Sequence, residues 1–226
     1  MSQENWNLQA KEWKRRLFYS RNQLTMRWVR RVAKKSSRIL DQGTGIGQYP
    51  FSLYREGYRN IVGLDFSKEL IKSARKNTKK LGYPVRFVEG DIRKMPFKKY
   101  SFDVVISAGI VEHVPETEKT IQELSRVIKE RGYLIIHVPH RISIFTITKT
   151  LQKILGFWKC GYEKSFTKGD FSKLLEKYGF EILDYELKKF IVGKHKIIGG
   201  ILAILDKPFY LLGLGGHHMC FLCRKS

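Results

Sequence analysis

An α/β fold with a mostly parallel sheet and helices on both faces is predicted by three observations. Short β-rich runs alternate with helical stretches from about residue 38 to 139, and strands joined through helices make crossover units. A glycine-rich turn, ILDQGTGIGQYP at 39–50, stands between the first such run and the first helix, where open α/β sheets bring bare backbone to a ligand. The 226 residues, 42% hydrophobic and 13% aromatic, suit one decorated domain and are too apolar for global disorder.

The elements follow in order. Residues 3–35 read as helical, with Trp6, Trp13, Leu17, Leu24, Trp28 and Val32 recurring at helical spacing among charges. Strands are expected at 38–41, 61–65, 85–88, 103–107 and 133–138, with helices at about 48–56, 68–81 and 116–129. After Pro139 the order changes. TKGDFSKLLEKY (167–178) sets Phe171, Leu174, Leu175 and Tyr178 on one helical side, and Gly179 is a natural stop. Strands follow at 180–187 and 219–224. Between them lies an Ile-, Leu- and Gly-rich insert at about 191–216.

Charge and cysteine usage narrow the setting. The 43 Lys+Arg against 21 Asp+Glu give +22, which favours anionic partners such as nucleic acid, acidic lipid surfaces or phosphorylated substrates, or else a solvated lysine-rich surface. Three cysteines and an opening MSQENWNLQAKEW without an apolar core fit a cytoplasmic setting. IIGGILAIL, 197–205, falls short of the roughly 20 apolar residues of a spanning helix, so a soluble or peripheral protein is expected. Cys220 and Cys223 invite a redox or zinc reading, but residues three apart on a strand point to opposite faces, and a redox pair belongs at a helix N-terminus. Core cysteines and no metal are expected.

Three readings compete for the glycine turn. A phosphate loop needs Gly-Lys-Ser/Thr, and no lysine follows. A dinucleotide fingerprint wants a third glycine where Gln48 stands. A tight strand–helix turn without a ligand is the plain alternative. Residues downstream decide. Asp65 ends the second strand run (IVGLD), Asp91 the third (FVEGD), and FDVVIS at 102–107 runs into AGIVEHV. Acidic residues at successive strand ends after a glycine loop mark a cofactor rim.

These segments together resemble the class I S-adenosylmethionine-dependent methyltransferases, especially the branch acting on small molecules and lipids. ILDQGTGIGQ, VGLDFSKELI, VRFVEGDIRKMPF, FDVVISAGIVEHV and ELSRVIKERGYLIIHVP carry the likeness over about 38–139, and SFTKGDFSKLLEKYGFEIL extends it to about 187. ERG at 130–132 departs from the family's Pro-Gly-Gly, at an expected surface turn. The resemblance implies a Rossmann-like seven-stranded mixed sheet of order 3-2-1-4-5-7-6 with strand 7 antiparallel, placing CFLC on a central strand apolar on both faces. It implies an N-terminal helical cover, residues 1–36, ahead of a cofactor-binding domain, residues 37–226. It also implies S-adenosylmethionine as cofactor. Gly43, Gly45 and Gly47 would make room for the methionine and ribose, and Asp41 would orient the amino group. Asp65 would hold the ribose hydroxyls while Phe66 packs on the adenine. Asp91 would take the adenine amino group beside the Ile92 backbone, and Ser107 would lie beneath the methionine portion.

Methyl transfer from a sulfonium is an in-line displacement in which alignment and water exclusion supply much of the rate, on the order of 7–11 kcal/mol in favourable cases. A general base adds about 10²–10⁴-fold for hydroxyl or thiol acceptors. His140 after the fifth strand and His113 after the fourth are the candidates; His137, mid-strand, is expected in the core.

The acceptor site is expected under the N-terminal helices and the segment 141–162, with Tyr19, Phe145, Trp158 and Tyr162 as lining candidates beside ordinary helix packing. The insert 191–216, with basic residues elsewhere, fits a lipid-like acceptor and contact with an anionic membrane. RNA methylation through the basic stretch 11–38, with eleven Lys/Arg and one acid, is the alternative. A non-catalytic S-adenosylmethionine-binding subunit is the third, and the intact acidic strand ends speak against it.

Overall fold

The structure is a computed structural model that describes residues 23–143, 146–147, 149–150, 154–156, 162–188, 216 and 218–226. Most of the expected N-terminal helices, the insert at about 191–216, and Tyr19, Phe145 and Trp158 lie outside the described residues.

Helix α1 (Gln23–Val32) leads into β1 (Ile39–Gln42), α2 (Gln48–Arg55), β2 (Ile61–Asp65), α3 (Lys68–Leu81) and β3 (Arg86–Glu89). There follow β4 (Phe102–Ala108), a 3₁₀ turn (Val111–His113), α4 (Thr117–Val127) and β5 (Ile128–Pro139). The chain continues through α5 (Lys168–Lys177), β6 (Phe180–Lys188) and β7 (His218–Lys225). The seven strands form one sheet of order β3-β2-β1-β4-β5-β7-β6. β7 pairs antiparallel with both β5 and β6, and the remaining pairs are parallel. The implied order and the orientation of the last strand are both present.

Caps set the helix limits. The Ser67 hydroxyl accepts from Leu70 N at 3.3 Å and the Thr167 hydroxyl from Asp170 N at 3.1 Å, filling amides that have no partner within the helix. Gly82 and Gly179, at φ 66° and 79°, follow α3 and α5 in the left-handed conformation that favours glycine. Pro50 falls in the first turn of α2, where its missing N–H costs nothing.

The sheet is covered on both faces. Leu40, Val105, Leu134 and Ile136 pack with Ile121 and Leu124 of α4 and Phe171 and Leu175 of α5. Ile39, Val104, Ile106 and Ile135 pack with Trp28 and Val29 of α1, Phe51 of α2 and Ile71 of α3. Cys223 belongs to the first cluster and Cys220 to the second, as opposite strand faces require. Burial pushes both thiols up, Cys220 to about 12, which keeps them protonated.

α1 is bound by its apolar stripe. Met26, Trp28 and Val29 are buried, each contributing about 1.5–3 kcal/mol by removal from water. Its arginines reach back to the domain: Arg27 pairs with Glu186, Arg31 with Asp184 at 2.7 Å, and Arg30 Nε donates to Glu56 at 2.9 Å. Exposed pairs of this kind stabilise by about 0–1 kcal/mol each, but they neutralise these three cations.

Two boundaries differ from expectation. α4 ends at Val127 and β5 begins at Ile128, five residues before the expected start. Ile128 is buried and pairs with Phe102 across a register shift. The expected turn at 130–132 is therefore an irregularity inside β5, with Arg131 at φ 59°. A Cβ on Gly132 would stand 2.8 Å from the Lys129 carbonyl oxygen, so the crowded strand requires glycine there.

Candidate active site

β1, β2 and β4 end side by side, with Gln42 opposite Leu64 on one flank and Ser107 on the other. The glycine turn leaves β1 here. Gly43 N and Thr44 N both donate to Leu64 O, at 2.8 and 2.9 Å, and Gly47 N donates to Thr44 O at 3.0 Å. Gly43, Gly45 and Gly47 have φ of 72°, 56° and 92°, so the turn requires the conformational freedom of glycine. The turn is also closely packed. A Cβ on Gly43 would stand 2.2 Å from Ile110 Cγ1, and one on Gly47 would stand 2.7 Å from Phe51 Cε2.

Asp65 joins the turn to the end of β2. Its Oδ2 accepts from Gly45 N at 2.9 Å and its Oδ1 from Ser67 N at 3.0 Å. Burial pushes its carboxyl up and these amides partly offset that. Asp41 is 2% exposed; burial pushes its carboxyl up to about 7, the nearby Thr44 hydroxyl offsetting part of this and Asp65 adding some repulsion. Phe66 stands exposed next to Asp65.

Several buried polar atoms on this rim lack hydrogen-bond partners. Among the described residues, none reaches Asp41 Oδ2, either amide atom of Gln42, Thr44 Oγ1 or Ser107 Oγ. Buried polar groups are ordinarily paired, because leaving one unpaired costs about 1–3 kcal/mol. Four such side chains at the ends of β1 and β4 and in the turn fit a ligand carrying an amino group, a carboxylate and hydroxyls. The donor and acceptor set suits S-adenosylmethionine.

Asp91 and Ile92 stand differently. β3 ends at Glu89, so Asp91 lies two residues past the strand. Its carboxylate is held by Arg93, with Nε 3.0 Å from both oxygens and Nη2 2.7 Å from Oδ2. That guanidinium also reaches Glu116 at 3.0 Å and holds the Asp91 carboxyl below its usual range. The Ile92 side chain is buried in the core cluster that covers α4.

Both candidate bases lie beyond β4 and β5. His113 closes the 3₁₀ turn with Nδ1 3.1 Å from the Tyr162 carbonyl oxygen. A carbonyl only accepts, so Nδ1 carries the hydrogen and Nε2 the lone pair of the neutral ring. Burial lowers the affinity of this imidazole for a second proton. His140 is buried directly after β5, and its carbonyl accepts from the Ser143 and Thr146 hydroxyls at 3.0 and 2.7 Å. Tyr162 is 42% exposed at the foot of the returning segment. His137 is buried, and burial lowers it to about 3. Its Nε2 lies 3.2 Å from the Thr25 hydroxyl, itself 3.2 Å from Tyr49 Oη, so α1 is tied to β5 and to α2.

Glu112 was not singled out from the sequence. It is 1% exposed, burial pushes it up to about 8, and its Oε2 has no hydrogen-bond partner among the described residues. The signal was an acid inside the apolar run GIVEHV. Beside it, Lys149 donates to Glu163 at 2.9 Å and to the Ser165 hydroxyl at 2.6 Å, the lysine side chain being 4% exposed. An open groove of about 850 Å³ between α4 and α5 mixes Arg141, Lys119 and Lys164 with Glu116, Glu118 and Asp170. It shares no residue with the glycine turn.

A family model described as a methyltransferase domain matches residues 33–179. A demethylmenaquinone methyltransferase of Thermus thermophilus is 34% identical over 117 residues, 49% of this chain and 53% of the relative. A phosphatidylethanolamine N-methyltransferase of Cereibacter sphaeroides is 32% identical over 108 residues, 46% of this chain and 52% of the relative. The chain thus spans about half the length of these curated relatives. A solved S-adenosylmethionine-dependent methyltransferase from Methanosarcina mazei superimposes with a TM-score of 0.66 at 18% identity, over 88% of this chain and 96% of that one. At that identity the likeness speaks for the fold.

Proposed function

This chain belongs to the methyltransferase-domain family, and from that membership we propose that it moves a methyl group from S-adenosylmethionine to a small, lipid-like acceptor. The observation that carries the reading is the set of buried polar atoms on Asp41, Gln42, Thr44 and Ser107, beside the glycine turn, that have no hydrogen-bond partner among the described residues. Bound S-adenosylmethionine supplies a methyl group already activated on a sulfonium.

The chain's own residues do the rest. Gly43, Gly45 and Gly47 let the cofactor lie against backbone, Asp41 orients its amino group, and Ser107 lines the floor. Asp65 holds the turn through its backbone amide bonds and accepts from the ribose with the acceptor capacity that those bonds leave. Phe66 and the Ile92 backbone flank the adenine, and Asp91 accepts from its amino group once Arg93 shares it. His113 Nε2 or His140 takes the acceptor's proton where the acceptor is a hydroxyl or thiol. Residues 1–36 act as the cover of the domain at 37–226, with Tyr19, Phe145, Trp158 and Tyr162 toward the acceptor.

Two curated relatives named for demethylmenaquinone and phosphatidylethanolamine support a lipid-like acceptor. The ion-paired Arg27, Arg30 and Arg31 weigh against RNA, because paired cations release few counterions. Calorimetric titration with S-adenosylmethionine tests the cofactor assignment. Asp65→Ala is expected to weaken binding about 10–100-fold, the weight of charge-assisted hydrogen bonds; equal affinities in both proteins would remove the assignment. A methyl-transfer screen over extracted lipids, small molecules and RNA tests the acceptor, and methylation confined to RNA would overturn the lipid reading.

A further inference from the structure

Helix α3 (Lys68–Leu81) carries almost all of its charge with one sign. Its 14 residues, KELIKSARKNTKKL, hold six cations and a single acid, Glu69. The apolar stripe is spent inward: Leu70 packs on Ile46 of the glycine turn, and Ile71 and Ala74 join the core cluster on that face of the sheet. Lys68, Lys72, Arg75, Lys76, Lys79 and Lys80 are all exposed. Arg75 is turned back, its Nη2 donating to Phe87 O at 3.0 Å. Among the described residues, no carboxylate pairs with any of the five lysines.

This pattern works against the helix that carries it. Lys68–Lys72, Lys72–Lys76 and Lys76–Lys80 are like-charged pairs one turn apart, a spacing that destabilises helices. Lys68 also stands in the first turn, at the positive end of the helix dipole. Glu69 relieves Lys72, three residues on, but no acid lies within four residues of Lys76, Lys79 or Lys80. Local rules are broken chiefly where function requires it, and a ligand of opposite charge would supply the missing partners.

The layout of the charge identifies the partner. Lys68, Lys72, Lys76 and Lys80 rise about 6 Å from one to the next, a ladder that matches a linear polyanion. The face continues past the helix end. Tyr83 stacks on Tyr54 with ring centroids 4.8 Å apart, and the Arg59 guanidinium lies 4.2 Å from the centre of the Tyr54 ring. Cations interleaved with partly exposed aromatic rings suit a nucleic acid strand. A bilayer is a poorer match, because no large apolar side chain of α3 is exposed to enter it. Lysines without acidic partners release counterions on meeting phosphates, which the ion-paired arginines of α1 do not.

We infer that α3, continued by Tyr83, Tyr54 and Arg59, is a docking surface for the phosphate backbone of a nucleic acid strand, read by charge and not by sequence. The inference goes beyond the acceptor reading: it concerns where the protein is held and not what it methylates.

The test is fluorescence anisotropy with a labelled oligouridine, titrated at a series of salt concentrations. The wild type is expected to bind, with affinity falling steeply as salt rises. The triple variant Lys72→Gln, Lys76→Gln, Lys79→Gln should flatten the log–log salt slope by about 2 and bind at least about tenfold more weakly at about 0.1 M salt. A control of equal charge, Lys98→Gln, Lys99→Gln, Lys173→Gln, changes exposed lysines outside α3 and should keep the wild-type slope. Glutamine matches lysine in helix propensity, so circular dichroism and calorimetric affinity for S-adenosylmethionine should be unchanged in both variants. No wild-type binding overturns the inference. So does an equal loss in the control, which would make net charge responsible and not α3. A preference for phosphatidylglycerol vesicles or for polyglutamate over oligouridine overturns it too, since a membrane or an acidic protein would then be the partner. Absent titration heat with S-adenosylmethionine would sink the methyltransferase reading alone and leave the docking result standing.

Discussion

Gly45 donates its amide to Asp65 Oδ2 at 2.9 Å, so the carboxylate ending β2 fixes the turn that leaves β1. Asp65 thus shapes the site before any ligand arrives. Asp65→Ala should speed amide exchange at Gly45 and Ser67 in the absence of cofactor, by about tenfold for each 1.4 kcal/mol of protection lost. Hydrogen exchange resolved by NMR reads this, and unchanged protection at both amides would confine Asp65 to ligand contact.

Asp41 trades stability for recognition. Its folded carboxyl titrates at about 7 against about 3.9 in the unfolded chain. Between those values the folded state keeps a proton that the unfolded state has lost, so stability falls as pH rises from about 4 to 7 and levels off above. Asp41→Asn removes this dependence. The variant should equal the wild type near pH 4 and exceed it by about 1–4 kcal/mol at pH 8, while binding S-adenosylmethionine more weakly. Thermal melts across pH 4–9 check the sign. Glu112→Gln should behave alike, with its gain levelling off near pH 8.

Gly43 and Ile110 form a second testable pair. Gly43→Ala places a Cβ 2.2 Å from Ile110 Cγ1 at a φ of 72°, and left-handed backbone alone costs a non-glycine residue about 1–2 kcal/mol. Adding Ile110→Ala relieves the clash but not the backbone cost. A denaturant double-mutant cycle should therefore show coupling of at least about 0.5 kcal/mol, with the double variant still less stable than Ile110→Ala alone. Strict additivity would place the two side chains apart.

The Lys149–Glu163 pair is buried on both sides. Lys149→Met leaves a carboxylate buried without its cation and should cost about 3–5 kcal/mol, and adding Glu163→Leu should recover much of that. Chemical denaturation of the two variants measures it. A double variant less stable than Lys149→Met would show that the pair is worth more than an apolar replacement.

Much of this was legible in the residues, and the exceptions have causes. The glycine turn, the strand ending at Asp65 and the stop at Gly179 were readable because backbone sterics dictate their residue types. The start of β5 was not, because Glu130-Arg131-Gly132 has turn composition and only pairing with Phe102 makes it strand. The Arg93 grip on Asp91 involves neighbours in sequence, yet nothing local says which way a guanidinium points. Glu112 was hidden by His113, the more conspicuous titrating group, and its protonation depends on burial that composition does not reveal.

β7, the last of the seven strands to be synthesised, lies between β5 and β6 in the sheet. Until residues 218–225 emerge, both neighbours expose unpaired ladder edges, and β5, at 12 residues, is the longest of the described strands. Open edges of that length invite pairing with other nascent chains. Ribosome-bound intermediates of this protein should therefore depend on chaperone shielding until the seventh strand closes the gap.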